Sequence, residues 1–201
     1  AMWNGSNTWT ALTTGTNGAV YAIDALDATN VYVGGDFALA GGISNTIRIA
    51  KWNGSNTWSA LGTGISGPVY VLTAVDATHI YAGGNFTTAG GTTVNNVAIY
   101  HSGTWEALNT GTVGTSGVVS AFAYVGTDLY VGGAFTHAGG TLTNYLSKYT
   151  PGATPPSTGA FSSLSTGSVG ANGSIFAIAV SGSEIYIGGN FTTIGGIPAN
   201  Y

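Results

Sequence analysis

Residues 80–91 read Ile-Tyr-Ala-Gly-Gly-Asn-Phe-Thr-Thr-Ala-Gly-Gly, and the phrase returns at 31–42, 129–140 and 185–196 with few changes. Its first glycines, Gly34, Gly83, Gly132 and Gly188, lie 49, 49 and 56 residues apart. A period of about 50 residues filled with short strands points to a radial or stacked β architecture. Each phrase is the second arm of a hairpin. In the second repeat the apolar run 68–75 meets 80–86 across the polar turn Asp76, Ala77, Thr78, His79. Equivalent hairpins span 20–37, 118–135 and 175–191, again with Asp, Thr or Ser at the turn. Their near-continuous apolar character fits strands covered on both faces.

A second hairpin follows each Gly-Gly pair. It is clearest at 49–52 and 58–61, where Asn53-Gly54 opens the turn. Its counterparts are 97–100 with 105–108, and 146–149 with 161–164. In the third repeat the turn swells to the Pro-rich segment 150–159, which accounts for the longer spacing and belongs on the surface.

Four strands per repeat make one propeller blade. The sequence therefore predicts an all-β chain, with one β-propeller domain over residues 1–201 made of four four-stranded blades. Repeats fall near 13–61, 62–108, 109–164, and 165–201 completed by 1–12. The last blade is predicted to borrow the N-terminal strands, because joining 196–201 to 1–5 reads almost in register with 91–101. Met2, Trp3, Trp9 and Leu12 would then close against Ile197 and Tyr201, which removes the open edges that invite aggregation. Closure between two chains is the other way to complete that blade.

Composition narrows the function classes. Charged residues are 5% of the chain, against about 25% in an average soluble domain. The surface is therefore built of Thr, Ser, Asn and Gly, which suits a secreted or cell-surface setting, bacterial in type. With only Arg48, Lys51 and Lys148 as basic residues and a net charge of −4, the chain cannot neutralise a phosphate backbone, so nucleic acid is excluded as a partner. No apolar run is long enough to insert in a membrane as a helix. There is no cysteine, hence neither disulfide nor thiolate site. No signal-peptide pattern precedes Trp3, as expected of a mature segment or a piece of something longer.

The order of apolar strand, turn, Tyr-x-Gly-Gly strand, aromatic-ended strand and Trp-x-x-Leu resembles kelch-type repeats. It is more similar still to bacterial secreted repeat arrays of the delta-60 and Rax2-like kind, with their Gly-Gly-x-Phe-Thr-x-x-Gly-Gly signature. The resemblance covers essentially the whole chain and implies a propeller. Kelch-type propellers usually carry more than four blades, so a whole ring, part of a larger one, and a unit that pairs with another chain all stay open.

The candidate sites divide between binding and packing. The Gly-Gly pairs are expected where strands crowd or bulge rather than as anion cradles, since no helix follows them. Trp3, Trp52, Tyr100 and Tyr149 form one aromatic column, and Trp9, Trp58, Trp105 and Phe161 another. Burying one such ring removes about 150–250 Å² from water, which favours core over display. Trp9 and Trp58 border loops and are the candidates for stacking on glycans. Asp36, Asn85 and Asn190, with Ala134 in the fourth copy, follow the first Gly-Gly pair and are candidate rim ligands for a cation or a hydroxyl-rich molecule. Asp24 stands where the other repeats have Thr73, Ala123 and Ala179, and needs water or a local partner. His79, His101 and His137 sit at three different repeat positions, without metal-ligand spacing. No catalytic residue, metal site or cofactor is expected. The sequence favours a non-enzymatic structural or adhesive surface module, with glycans, other surface proteins or a second copy as partners.

Overall fold

The apolar phrases fold as antiparallel hairpins in every repeat. The computed structural model describes residues 1–109, 114–153, 156–164 and 170–199. β1 (Met2–Trp3) and β2 (Trp9–Thr10) pair only with each other. β3 (Ala19–Asp27), β4 (Asn30–Asp36), β5 (Ile49–Trp52) and β6 (Trp58–Ala60) form the first four-stranded sheet in that order. β7 (Val69–Asp76) and β8 (His79–Gly84) lead through a ribbon of β9 (Thr88–Ala89) and β10 (Thr92–Thr93) to β11 (Val97–His101) and β12 (Thr104–Ala107). The second sheet is thus ordered β7-β8-β11-β12. β13 (Val118–Val125), β14 (Asp128–Ala134), the ribbon of β15 (His137–Ala138) and β16 (Thr141–Leu142), β17 (Leu146–Thr150) and β18 (Ala160–Ser162) repeat the pattern. The third sheet is β13-β14-β17-β18. β19 (Ile175–Ser181) and β20 (Glu184–Gly189) make a two-stranded pair, followed by the ribbon β21 (Thr193–Ile194) and β22 (Ile197–Pro198).

The sheets stack face to face through their first strands, β3 on β7, β7 on β13 and β13 on β19. Alternate side chains feed opposite faces. Tyr32 and Ile49 of the first sheet enter the cluster shared with the second, while Val33, Ala50 and Trp52 enter the one behind it. Tyr81, Val97 and Ile99 meet Val119 and Phe122 in the next interlayer, and Leu146 meets Ile175 in the last.

Two features differ from the sequence reading. Each first strand carries a bulge at the same place, between Val20 and Ala22, Val69 and Val71, Val119 and Ala121, and Ile175 and Ala177. The extra residue shifts the alternation by one. Residues three apart, such as Val69 and Leu72, therefore face the same way. The predicted completion of the last blade is the second difference. Among the described residues β20 pairs only with β19, and β1 only with β2. Met2, Trp3, Trp9 and Ile197 are all exposed rather than joined, and Tyr201 lies outside the described residues. Among the described residues the row of sheets is open, with exposed apolar side chains on β3 at one end and on β19 and β20 at the other.

Candidate functional site

The glycines show how one sheet joins the next. A Cβ placed on Gly34 would lie 2.6 Å from Val69 Cγ1 and 3.2 Å from Leu72 Cδ1. On Gly83 it would meet Val119 Cγ1 at 2.6 Å and Phe122 Cζ at 2.7 Å, and on Gly132 it would meet Ile175 Cγ2 at 2.5 Å and Ile178 Cδ1 at 3.1 Å. The first glycine of these three pairs is therefore a flat seat for two apolar side chains of the following sheet, and the bulge aims both at it. The second glycine, Gly35, Gly84, Gly133 or Gly189, abuts the carbonyl of the residue before the bulge, Ala19, Pro68, Val118 or Ser174. Both glycines are there for close approach, as expected.

Aromatic side chains of the outer strands make a second contact, lying over a glycine of their own repeat and, for the two tryptophans, reaching the preceding one. Trp58 and Trp105 lie over Gly41 and Gly90, and Phe161 lies over Gly139. These glycines have positive φ, 61°, 57° and 55°, so any side chain there is strained as well as crowded. The Trp105 indole donates from Nε1 to Leu61 O at 2.8 Å, and Trp58 donates to Leu12 O at 3.2 Å. Each outer tryptophan is thus stitched to the end of the preceding repeat.

At the ends of the row these joints stand half made. Gly188 has no neighbour for a Cβ nearer than Ala177 Cβ at 3.9 Å, and Gly195 has none within 4 Å. Val20 and Ile23, which pair with Gly35 and Val33 as Val69 and Leu72 pair with Gly84 and Ala82, are 37% and 68% exposed. Trp9 is 67% exposed and its ring meets Trp3, ring centroids 5.4 Å apart. Between the β1–β2 hairpin and the first sheet runs a groove of about 620 Å³ lined by Met2, Leu12, Val20, Ile23, Val31 and Val33 among others. At the far end Phe176, Val180, Tyr186 and Leu164 are exposed. Tyr186 donates to Glu184 Oε2 at 2.6 Å, and that carboxylate holds its phenol above the ordinary value.

The sequence-predicted site residues are scattered. Trp58, expected at a loop border and free to stack on a sugar, is 5% exposed and packed on Trp52. Its neighbour Leu12 supplies both the apolar cover and the indole's acceptor. Asp36, Asn85, Ala134 and Asn190 are all exposed at the same repeat position, just after the Gly-Gly pair. Asp36 pairs with Arg48 at 3.3 Å, and Arg48 also donates to Ile65 O. Asp24 accepts from its neighbour Ala25 N at 2.8 Å and, across the joint, from Ala74 N at 2.7 Å. It therefore clips the first sheet to the second.

One cluster escaped the sequence reading. β8 and β11 place His79 opposite His101, with rings stacked 4.8 Å apart. Asp76 holds His79 at 2.8 Å, Glu106 holds His101 at 3.2 Å, and Ser157 of the Pro-rich segment donates to Glu106. Burial works to raise Asp76, but donors from Thr78 and His79 outweigh it and hold the carboxyl at about 2. The register of the repeat, with residue 80 opposite 100, was the signal that would have found this pair. No group of three or more His, Cys, Asp or Glu able to hold a metal occurs among the described residues. The Tyr149 phenol, pushed up to about 12 by burial, donates to Pro156 O at 2.7 Å and accepts from Gly159 N at 2.9 Å, which pins the insertion to the third sheet.

Comparison with known families places this geometry. The family model of the Rax2 C-terminal beta propeller domain matches residues 4–128. No curated protein matches the chain.

Proposed function

The chain belongs to the Rax2 C-terminal beta propeller domain family, and from that premise we propose that it is a non-enzymatic structural module of an extracellular or cell-surface protein that works by joining blade to blade. One observation carries this reading. The seats and side chains that lock every interior joint recur at both ends of the row with nothing upon them. Exposed apolar area of that kind is what associating surfaces present. The near-absence of charge favours a secreted setting, and the carboxylates Asp24, Asp27, Asp36 and Asp76 are engaged by backbone, Thr, Arg or His rather than gathered around a shared site. A four-bladed unit, with its last blade completed by N-terminal strands, is the assembly these joints favour, whether the completing strands come from the same chain or another. Light scattering over a dilution series tests the reading. Mass rising above 20.0 kDa with concentration, or a constant 20.0 kDa with Trp9 shielded from a soluble quencher by closure of the chain on itself, is expected, and a constant 20.0 kDa with Trp9 still open to quencher and no partner protein bound would overturn it.

Glycan binding is the second reading, favoured by the exposed Trp3–Trp9 pair. It concerns one site beside an apolar groove rather than one per repeat, because the rings equivalent to Trp9, namely Trp58, Trp105 and Phe161, are buried. Binding on a glycan array that disappears in Trp9→Ala would support it, and silence on a broad array would count against it.

A further inference from the structure

We infer that the two open ends are complementary halves of one joint, made head to tail between two copies of this chain. This rests on the structural-module reading above and names its partner and contacts. The template is the interior joint, which the chain makes three times. In each, the first glycine of a pair receives two apolar side chains from the next sheet, Gly34 from Val69 and Leu72, Gly83 from Val119 and Phe122, Gly132 from Ile175 and Ile178. The set leaves one glycine without side chains, Gly188, and one pair of side chains without a glycine, Val20 and Ile23. They stand at opposite ends of the row.

The outer contact leaves the same remainder. Trp58, Trp105 and Phe161 cover Gly41, Gly90 and Gly139, while Gly195 is uncovered and Trp9 is exposed. Trp58 and Trp105 donate to the carbonyls of Leu12 and Leu61. The equivalent acceptor for Trp9 is the carbonyl of Leu164, whose side chain is exposed at the other end. Backbone pairing agrees. Val31, Ile80 and Leu129 pair with Trp52, Tyr100 and Tyr149, and the free edge of β20 offers Ile185 in that position. β1 offers Trp3, which faces Trp9 as Trp52 faces Trp58. Entering the groove between β1–β2 and the first sheet, the β19–β20 pair of a second copy would complete a sheet ordered β19-β20-β1-β2. Trp3 would lie opposite Ile185 and Met2 opposite Tyr186.

Such an interface is heterologous, so the assembly closes into a ring if the rotation allows and otherwise grows as a filament. The strand addition supplies main-chain hydrogen bonds, and the glycine seats supply register.

The test uses two variants that each spoil one end. Ile23→Asp charges the N-terminal face at a solvent-exposed position, and Gly188→Val fills the C-terminal seat, where a Cβ meets nothing closer than 3.9 Å. Circular dichroism and thermal melts matching wild type check that both fold. Light scattering should show wild type associating, each variant alone at 20.0 kDa across the same concentrations, and an equimolar mixture giving a dimer that grows no further, because only one sound joint remains. Association that survives in both variants, or a mixture that stays monomeric, overturns this joint while leaving the module reading standing. Wild type that never exceeds the monomer mass in solution overturns the joint between copies outright. That result with Trp9 shielded from a soluble quencher would assign the contacts to closure within one chain.

Discussion

Gly83 and Gly188 hold the same place in two repeats, yet one is packed under Val119 and Phe122 and the other faces open space. The same contrast separates Phe122, 8% exposed, from Ile23, 68% exposed, although each pairs with a valine at the same ladder position. Since local sequence is so alike, the difference arises from what lies alongside. A repeat buries its apolar face only against a neighbour, and the terminal faces of this row have none. Interior joints therefore measure what the end faces could gain.

Substitutions that treat equivalent positions alike should separate the two environments. Phe122→Ala removes a ring from the packed interlayer and is expected to cost about 3–4 kcal/mol. Ile23→Ala in the monomer should change stability by less than about 0.5 kcal/mol. Denaturant unfolding at concentrations below association measures both. Gly83→Val forces a side chain into atoms 2.6–2.7 Å from its Cβ, with an expected loss of about 2–3 kcal/mol. Gly188→Val should leave the monomer's melting temperature within a degree or two of wild type, a shift of about 0.5 kcal/mol or less. Trp105→Phe deletes the 2.8 Å bond to Leu61 O and leaves a buried carbonyl short of a partner, at about 1 kcal/mol. Trp9→Phe in the monomer should be silent.

The smallest effect is electrostatic and belongs to the hairpin turns of the first two sheets. Thr29 and Asn30 hold Asp27 at about 2, and Asp76 is held there by Thr78 and His79 against the burial that would raise it. Unfolded aspartate titrates near about 3.9, so between that value and 2 the unfolded chain binds more protons and stability rises with pH. This contribution is fully present above pH 4 and is lost as pH falls toward 2. It is modest because both carboxylates are exposed to solvent. Melts from pH 5 to pH 2 should show the decline, and Asp27→Asn should flatten part of it.

Repetition made most of the fold readable. Four copies of the Gly-Gly phrase set the hairpins, and the observed strands fall on the predicted runs, with the Asn53 carboxamide capping its turn through Ser55 N and Thr57 N. The bulges were not readable, because one inserted residue changes facing without changing composition. Trp9 and Trp58 follow identical loops, and nothing local distinguishes the exposed ring from the buried one. Leu12 and the first sheet decide it. His79 and His101 lie at unlike positions of the repeat, so only cross-strand register brings them together. Asp24 was recognisable as out of place, but its acceptor role for Ala74 N depends on a strand 50 residues away.

A disulfide trap addresses the joint between copies itself, since the chain has no cysteine of its own. In the interior template a Cβ on Gly34 falls 3.1 Å from Val69 Cβ, close enough to the usual disulfide separation of about 3.5–4.5 Å for a small relaxation to bridge them. Val20→Cys and Gly188→Cys, prepared separately, mixed and oxidised, should give a cross-linked species of twice 20.0 kDa on a non-reducing gel, absent from either variant oxidised alone. Failure of the mixture to cross-link, while wild type associates under the same conditions, would contradict a head-to-tail joint between these two faces.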